Sequence, residues 1–295
     1  MGMSDSLTVF LVLRFLGGFA SAFVLVFSSA LVLEQLAKLG RPDLSAVHFA
    51  GVGTGIAFSA VLIAALGAYG SSWQDLWFTS GLATLLLFSA IWFLVPKPAP
   101  ADASDPPPAQ QTRETEAGIA PGLIRLVLAY GLFGFGYVIT ATFISVIVRE
   151  APSLQAAEPY VWLAVGLTAA PSIYIWNKIA ARRGARQAFA AACLAEAAGV
   201  ALSVLADSPA AILLAAALLG GTFMGITALG LIEARRQTKG DPRRILAIMT
   251  ASFGLGQMVG PWLAGLMHGW TGDFQAASFA AAGALLAAAV LVIIR

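Results

Sequence analysis

Nine stretches of this chain run for about twenty residues with almost no charge, which is the length a helix needs to cross a bilayer. They lie at roughly 7–33, 47–69, 73–95, 122–148, 159–177, 187–206, 209–232, 245–267 and 274–294. The runs are continuous and do not alternate, so each predicts a helix rather than a barrel strand. Only 11% of the residues are charged, where a soluble domain carries about 25%. No water-soluble fold of this size hides so much apolar surface. The expectation is an all-α polytopic membrane protein with nine transmembrane helices.

The basic residues divide unevenly between the two faces that nine spans create. One face receives Lys38, Arg41, Lys97, Arg113, Arg125, Lys178, Arg182, Arg183, Arg186, Arg235, Arg236, Lys239, Arg243, Arg244 and Arg295, which is 15 of the 17 lysines and arginines. The other receives Arg149, while Arg14 lies inside a span. Basic residues gather on the cytoplasmic side, so the carboxyl end is expected there. Nine spans then place the amino end outside, although the opening "MGMSDSL" has neither a basic region nor a small-residue cleavage site to act as a signal peptide. Three further spans before Met1 would return that end to the inside and give twelve.

Residues 96–121 are proline-rich and polar, a composition that cannot pack a core. The expected organisation is a three-helix remnant of an amino-terminal lobe at 1–95, a cytoplasmic linker at 96–121, and a six-helix carboxyl-terminal lobe at 122–295. There is an internal echo. Gly17-Gly18, then Glu34, a basic loop and Gly53/Gly55 in the first two spans parallel Gly220-Gly221, then Glu233, a basic loop and Gly254/Gly256 in the seventh and eighth.

Several polar residues stand out within the apolar runs. No other charged residue lies within eight positions of Arg14. A central arginine costs about 2.5–3.5 kcal/mol on insertion scales, so it either faces the bundle interior or snorkels to the interface. Gly18, Ser21 and Ala22 share nearly the same face. Glu196 is mid-span, and an unpaired carboxylate there must be protonated or partnered. It is either a proton-coupling group or a structural hydrogen-bonding acid. Glu34 and Glu233 end their spans beside basic loops. They are expected either to form gate ion pairs with Arg182, Arg183 and Arg186 or to remain interfacial charge.

Two polar-aromatic stripes recur at helical spacing: Tyr130, Phe133, Gly134, Tyr137 and Thr140, and Thr250, Gly254, Gln257 and Pro261. Both are expected to line a solute cavity, the alternative being helix packing. Gly51, Gly55 and Ser59, and likewise Gly256 and Gly260, have the small-residue spacing that lets helix backbones approach. Pro171 and Pro261 are expected to kink their helices.

No phosphate-binding glycine-lysine loop occurs, so no ATP motor is built in. His48 and His268 fall near opposite membrane faces, and neither a metal nor a cofactor is expected. The single cysteine, Cys193, excludes an intrachain disulfide. No nucleophile-base-acid motif points to an enzyme.

"RFLGGFASA" (14–22) resembles the arginine-glycine motif on the fourth helix of the major facilitator superfamily, and "GLGQMVGPWLAG" (254–265) resembles its glycine-proline motif. "NKIAARRGAR" (177–186) resembles its basic loop, departing at Ala181 where an aspartate is expected. With "HFAGVGTGIAFSA" and "YGLFGFGYVITATF", the chain is similar to the YbfB/YjiJ branch, as helices 4–12 of that fold. The resemblance implies a secondary transporter of the bacterial inner membrane, working by alternating access and often on a proton gradient. It favours Arg14 as a cavity residue for proton relay or substrate coupling. Membrane lipid, an unidentified small solute and protons are the implied partners, with no nucleic acid. The rival readings are a transport-inactive fragment and a non-transporting membrane subunit or sensor.

Overall fold

The computed structural model describes residues 2–41, 44–94, 121–238 and 242–294. The expected linker at 96–121 lies outside the described residues except for Pro121, which opens α4, and Lys97, Arg113, Lys239 and Arg295 lie outside them too. Among the described residues the structure is helical without strands. It comprises α1 (Leu7–Lys38), α2 (Ser45–Ala68), α3 (Trp73–Leu94), α4 (Pro121–Glu150), α5 (Glu158–Arg183), α6 (Ala185–Leu205), α7 (Pro209–Gln237), α8 (Pro242–Thr271) and α9 (Gln275–Ile293), with a 3₁₀ turn at Gln155–Ala157.

Each helix coincides with one apolar run. Among the described residues, seven helices are long and apolar enough to cross a membrane. α5 is the least apolar, because it ends on Asn177-Lys178 and a pair of arginines. The chain is a multi-pass, all-α membrane protein.

Local chemistry sets the helix ends. α4 and α8 begin at Pro121 and Pro242, and α5 and α7 carry proline in the first turn, where its missing N–H costs nothing. At the start of α3, the Ser72 N–H donates to Asp75 Oδ2 (3.0 Å) and the Asp75 N–H to Ser72 Oγ (3.2 Å), a reciprocal cap. Arg182 and Arg183, and Arg235 and Arg236, occupy the last turns of α5 and α7, where they complement the negative helix end.

The described residues form two compact units, divided within α1 at Leu31 and within α2 at Leu62. In the first, α1 meets α3 through Phe10 and Trp77, packed edge-on at 6.4 Å. In the second, α4 to α9 form a six-helix lobe. Its strongest pairings are α5 with α7, α7 with α6, α6 with α9, α9 with α4, and α4 with α8. Exchanging α4-α5-α6 for α7-α8-α9 maps this set of pairings onto itself. The lobe is therefore two like three-helix sets, the nested-repeat construction of some transporter halves.

Glycine makes the repeated packing possible. On α4, a side chain at Gly131 or Gly134 would press into Ser252 or Phe253 of α8; on α7, one at Gly220 or Gly225 would overlap Val165 or Trp176 of α5. The receiving helices carry matching Gly-x4-Pro sequences, Gly166 with Pro171 and Gly256 with Pro261, and each helix continues through its proline. One core cluster includes Phe133, Phe189, Cys193, Ile226, Met249 and Leu285; another includes Ile144, Val161, Val165, Ile212 and Leu219.

The same unit includes the first part of α2, and here the expected packing residues need correction. Among the described residues, a side chain at Gly51 or Gly55 would meet nothing within 4 Å, whereas one at Gly53 would overlap the Ala170 backbone and one at Gly166 the Ala57 backbone. The contact uses a neighbouring face of α2, because that face opposes the small residues of α5. By contrast, Gly256 and Gly260 do lie against the α4 backbone at Gly131 and Phe135. Between α5 and α6 the only residue is Gly184, at φ +90. Its N–H donates to the Ala180 carbonyl (2.8 Å) and its carbonyl accepts from the Ala188 N–H (3.1 Å). That backbone conformation is open to glycine and strained for other residues.

Candidate functional site

The close approach of α4 and α8 brings the two polar-aromatic stripes together. Gln257 Nε2 donates to Tyr137 Oη at 2.6 Å. Around this bond the Tyr137 ring lies nearly parallel to two phenylalanines, Phe223 of α7 (5.9 Å, 5°) and Phe253 of α8 (5.7 Å, 6°). Phe133 stacks on it from one turn away, at 5.3 Å. Tyr130 packs on Phe253 (5.3 Å), and its hydroxyl donates to the Thr227 carbonyl of α7 at 3.2 Å. Three helices thus build one face, aromatic in body and polar at one point.

Exposure separates the members of the stripes. Tyr137, Phe223, Phe253 and Gln257 are half-buried, so their edges remain reachable. Tyr130 and Thr140 are buried. They belong to the lobe interior rather than to an accessible wall, because Tyr130 is turned toward α7 and Thr140 follows the side of α4 that packs on α9. Thr250 is exposed and its hydroxyl is spent on the Leu246 carbonyl (2.8 Å). Phe223 and Phe253 escaped the sequence reading. The one signal for Phe223 was its place two residues after the Gly220-Gly221 pair.

Glu196 is wholly buried on α6, and neither carboxylate oxygen has a hydrogen-bond partner. It stands one turn along α6 from the buried Cys193.

The helix-end charges resolve into different pairs. Arg186 Nε of α6 donates to Glu233 Oε1 of α7 at 2.9 Å, and Gln237 Nε2 donates to the same oxygen at 2.9 Å. Arg182 and Arg183 are exposed. Glu34 pairs with Lys38 on its own helix at 2.8 Å instead of joining that arginine cluster. The four-residue spacing puts Lys38 directly below it.

Arg14 and Ser21 are exposed on α1. The Arg14 guanidinium lies 5.7 Å from the ring centres of both Phe10 and Trp77, so it rests over two π faces. At the far end of the lobe, Arg149 pairs with Glu158, and the His268 ring stacks on Phe274 at 4.3 Å. Among the described residues no three histidine, cysteine or acidic side chains gather closely enough to hold a metal ion.

Helices of membrane-crossing length, packed as two like triplets, define a multi-pass membrane protein. The sequence profile of one family, described as the uncharacterised MFS-type transporter YbfB, matches residues 1–293. The chain belongs to this family of major facilitator transporters. No curated protein matches it.

Proposed function

We propose that this protein is a secondary active transporter that moves a small solute across the bacterial inner membrane by alternating access, driven by protons, with its carboxyl terminus in the cytoplasm. The observation that carries the reading is the Tyr137–Gln257 pair, set at the half-buried edge of a stack of phenylalanines contributed by three helices. A stack of this kind suits a solute with a flat or apolar body. The remaining carbonyl of Gln257 and the hydroxyl hydrogen of Tyr137 supply one acceptor and one donor to orient it.

In this reading Arg14 and Ser21 serve substrate coupling, the Arg186–Glu233 pair serves as a gate contact between α6 and α7, and no chemical step is catalysed. The basic asymmetry of the loops supports the orientation.

Flux of a solute panel into proteoliposomes under an imposed pH gradient is the test. Transport of at least one solute is expected, with Gln257→Leu and Arg14→Ala each lowering it about tenfold, as loss of a binding hydrogen bond or charge does. Unchanged flux in Gln257→Leu would remove the face from the mechanism. Chemical turnover in detergent, with no gradient, would make the protein an enzyme instead.

A further inference from the structure

Hydroxyls in the six-helix lobe are mostly spent on their own helix. Thr168, Thr222 and Thr227 each donate to the carbonyl four residues back, at 2.8, 2.6 and 2.8 Å. Ser172 of α5 does otherwise. It is fully buried, and its hydroxyl donates to the Gly221 carbonyl of α7 at 2.9 Å while accepting from the Gly225 N–H of α7 at 3.2 Å. Gly221 and Gly225 are four residues apart, so that carbonyl and that N–H are the two ends of one rung of the α-helical ladder. The serine bridges a single backbone rung of the neighbouring helix. One turn along α5, the Trp176 Nε1–H donates to the same Gly221 carbonyl at 2.7 Å. The indole reaches it across Gly225, where a Cβ would overlap the ring. Two side chains of α5 thus grip one turn of α7 whose glycines leave it little stiffness of its own.

The gripped turn carries Phe223. Two residues from either end of the rung is a little more than half a helical turn, so Phe223 leaves α7 on the side away from α5. There it lies parallel to Tyr137, with 5.9 Å between ring centres and 5° between planes. Hydrogen bonds hold the turn on one side, and it presents an aromatic ring on the other. A related stitch lies beside Phe253. Ser252, its neighbour in the chain, donates to the Val127 carbonyl of α4 at 2.8 Å and lies against Gly131, four residues further on. A serine crossing to a carbonyl whose rung ends on a glycine therefore occurs beside both phenylalanines that lie parallel to Tyr137.

We propose that Ser172 and Trp176 are positioning residues for the aromatic face. By fixing the Gly221–Gly225 turn, they set the distance and tilt of Phe223 against Tyr137, and with them the shape of the face offered to a flat or apolar solute. They act through Phe223, not on the solute. Their bearing on solute selection rests on the transporter reading above; their hold on Phe223 does not.

The full chain, labelled with 3-fluorotyrosine and held in lipid nanodiscs, gives the readout. Its five tyrosines yield five fluorine signals, that of Tyr137 being the one lost in Tyr137→Phe. Ser172→Ala removes the bridge, and Trp176→Phe keeps an aromatic body without the N–H. Each is expected to move the Tyr137 signal, as Phe223→Leu does, while the signal of Tyr160, in the first turn of α5, stays in place. Amide exchange in deuterium oxide is expected to rise about tenfold in the peptide holding Gly225 of Ser172→Ala, as loss of one or two hydrogen bonds does, and to stay unchanged across α9. A Tyr137 signal that keeps its place in both variants overturns the proposal. So do variants in which Tyr160 and α9 change as much as Tyr137 and Gly225, because that is loss of packing throughout the lobe. If Ser172→Ala does not fold, Trp176→Phe decides. For a solute found to move, Ser172→Ala added to Phe223→Leu is expected to raise KM no further than Phe223→Leu alone; additive losses would overturn action through Phe223 and leave the transporter reading intact. Absence of flux for every solute would remove that reading and leave the fluorine result standing.

Discussion

Helices α1 and α7 carry the same marks and put them to different use. Both are long and apolar, both hold a glycine pair, and both end on a glutamate beside basic residues. Among the described residues, a side chain at Gly17 or Gly18 of α1 would meet nothing within 4 Å, while the space above Gly220 is filled by the Val165 carbonyl and Thr168. Glu34 pairs with Lys38 on its own helix, both side chains about 60% exposed; Glu233 pairs with Arg186 of α6 and is 11% exposed. None of the most apolar stretch of α1 is buried, against 56% of that of α7. The lesson is that a glycine pair or a terminal acid specifies an opportunity. The neighbouring helix decides whether it becomes a packing surface, an interhelical bond or a lipid-facing groove.

The contrast is sharpest in a paired substitution. Gly220→Leu is expected to cost about 3 kcal/mol, the upper part of the range for overpacking, because the α5 backbone cannot yield. Gly18→Leu is expected to cost nothing and to bring the small gain of replacing a helical glycine. Thermal unfolding of the two variants in detergent measures the difference, and equal losses would erase the distinction between the helices.

A smaller effect is expected at the acids. Glu233→Ala leaves Arg186 half-buried and Gln237 without its acceptor, a loss of about 2 kcal/mol. Glu34→Ala breaks a solvent-facing pair and is expected to be silent. Denaturation midpoints at low and high salt separate them: only the Glu34–Lys38 pair should respond to screening. The smallest change is a gain. Gly18→Ala relieves the entropic cost of glycine in a helix and is expected to raise stability by about 0.5–1 kcal/mol, read from the same unfolding curves. A loss there would mean that α1 is held against something at that face.

The helices themselves were plain in the sequence, because twenty apolar residues bounded by proline or polar turns leave little alternative. The family was plain too, from the glycine-rich motifs around Arg14 and Pro261. Partners were not. The tract from Gly51 to Ala60 offers small residues on several faces, and only the position of Gly166 and Ala170 on α5 selects Gly53. The stripes on α4 and α8 could each be read singly, but the Tyr137–Gln257 bond depends on a helix separation set by Gly131 and Gly256. Phe223 and Phe253 sit among 18 phenylalanines with nothing in their spacing to mark them. Glu34 and Glu233 read alike, and their difference arises wholly from whether an arginine of another helix arrives.

Gly184 imposes a mechanical constraint on any motion of the lobe. A joint of one residue, its backbone bonded to both neighbours, has no slack. The last turn of α5 and the first turn of α6 must travel together, like two arms of a bent lever. A flexion at Pro171 is therefore delivered to the foot of α6, and along it to the buried acid three turns further on.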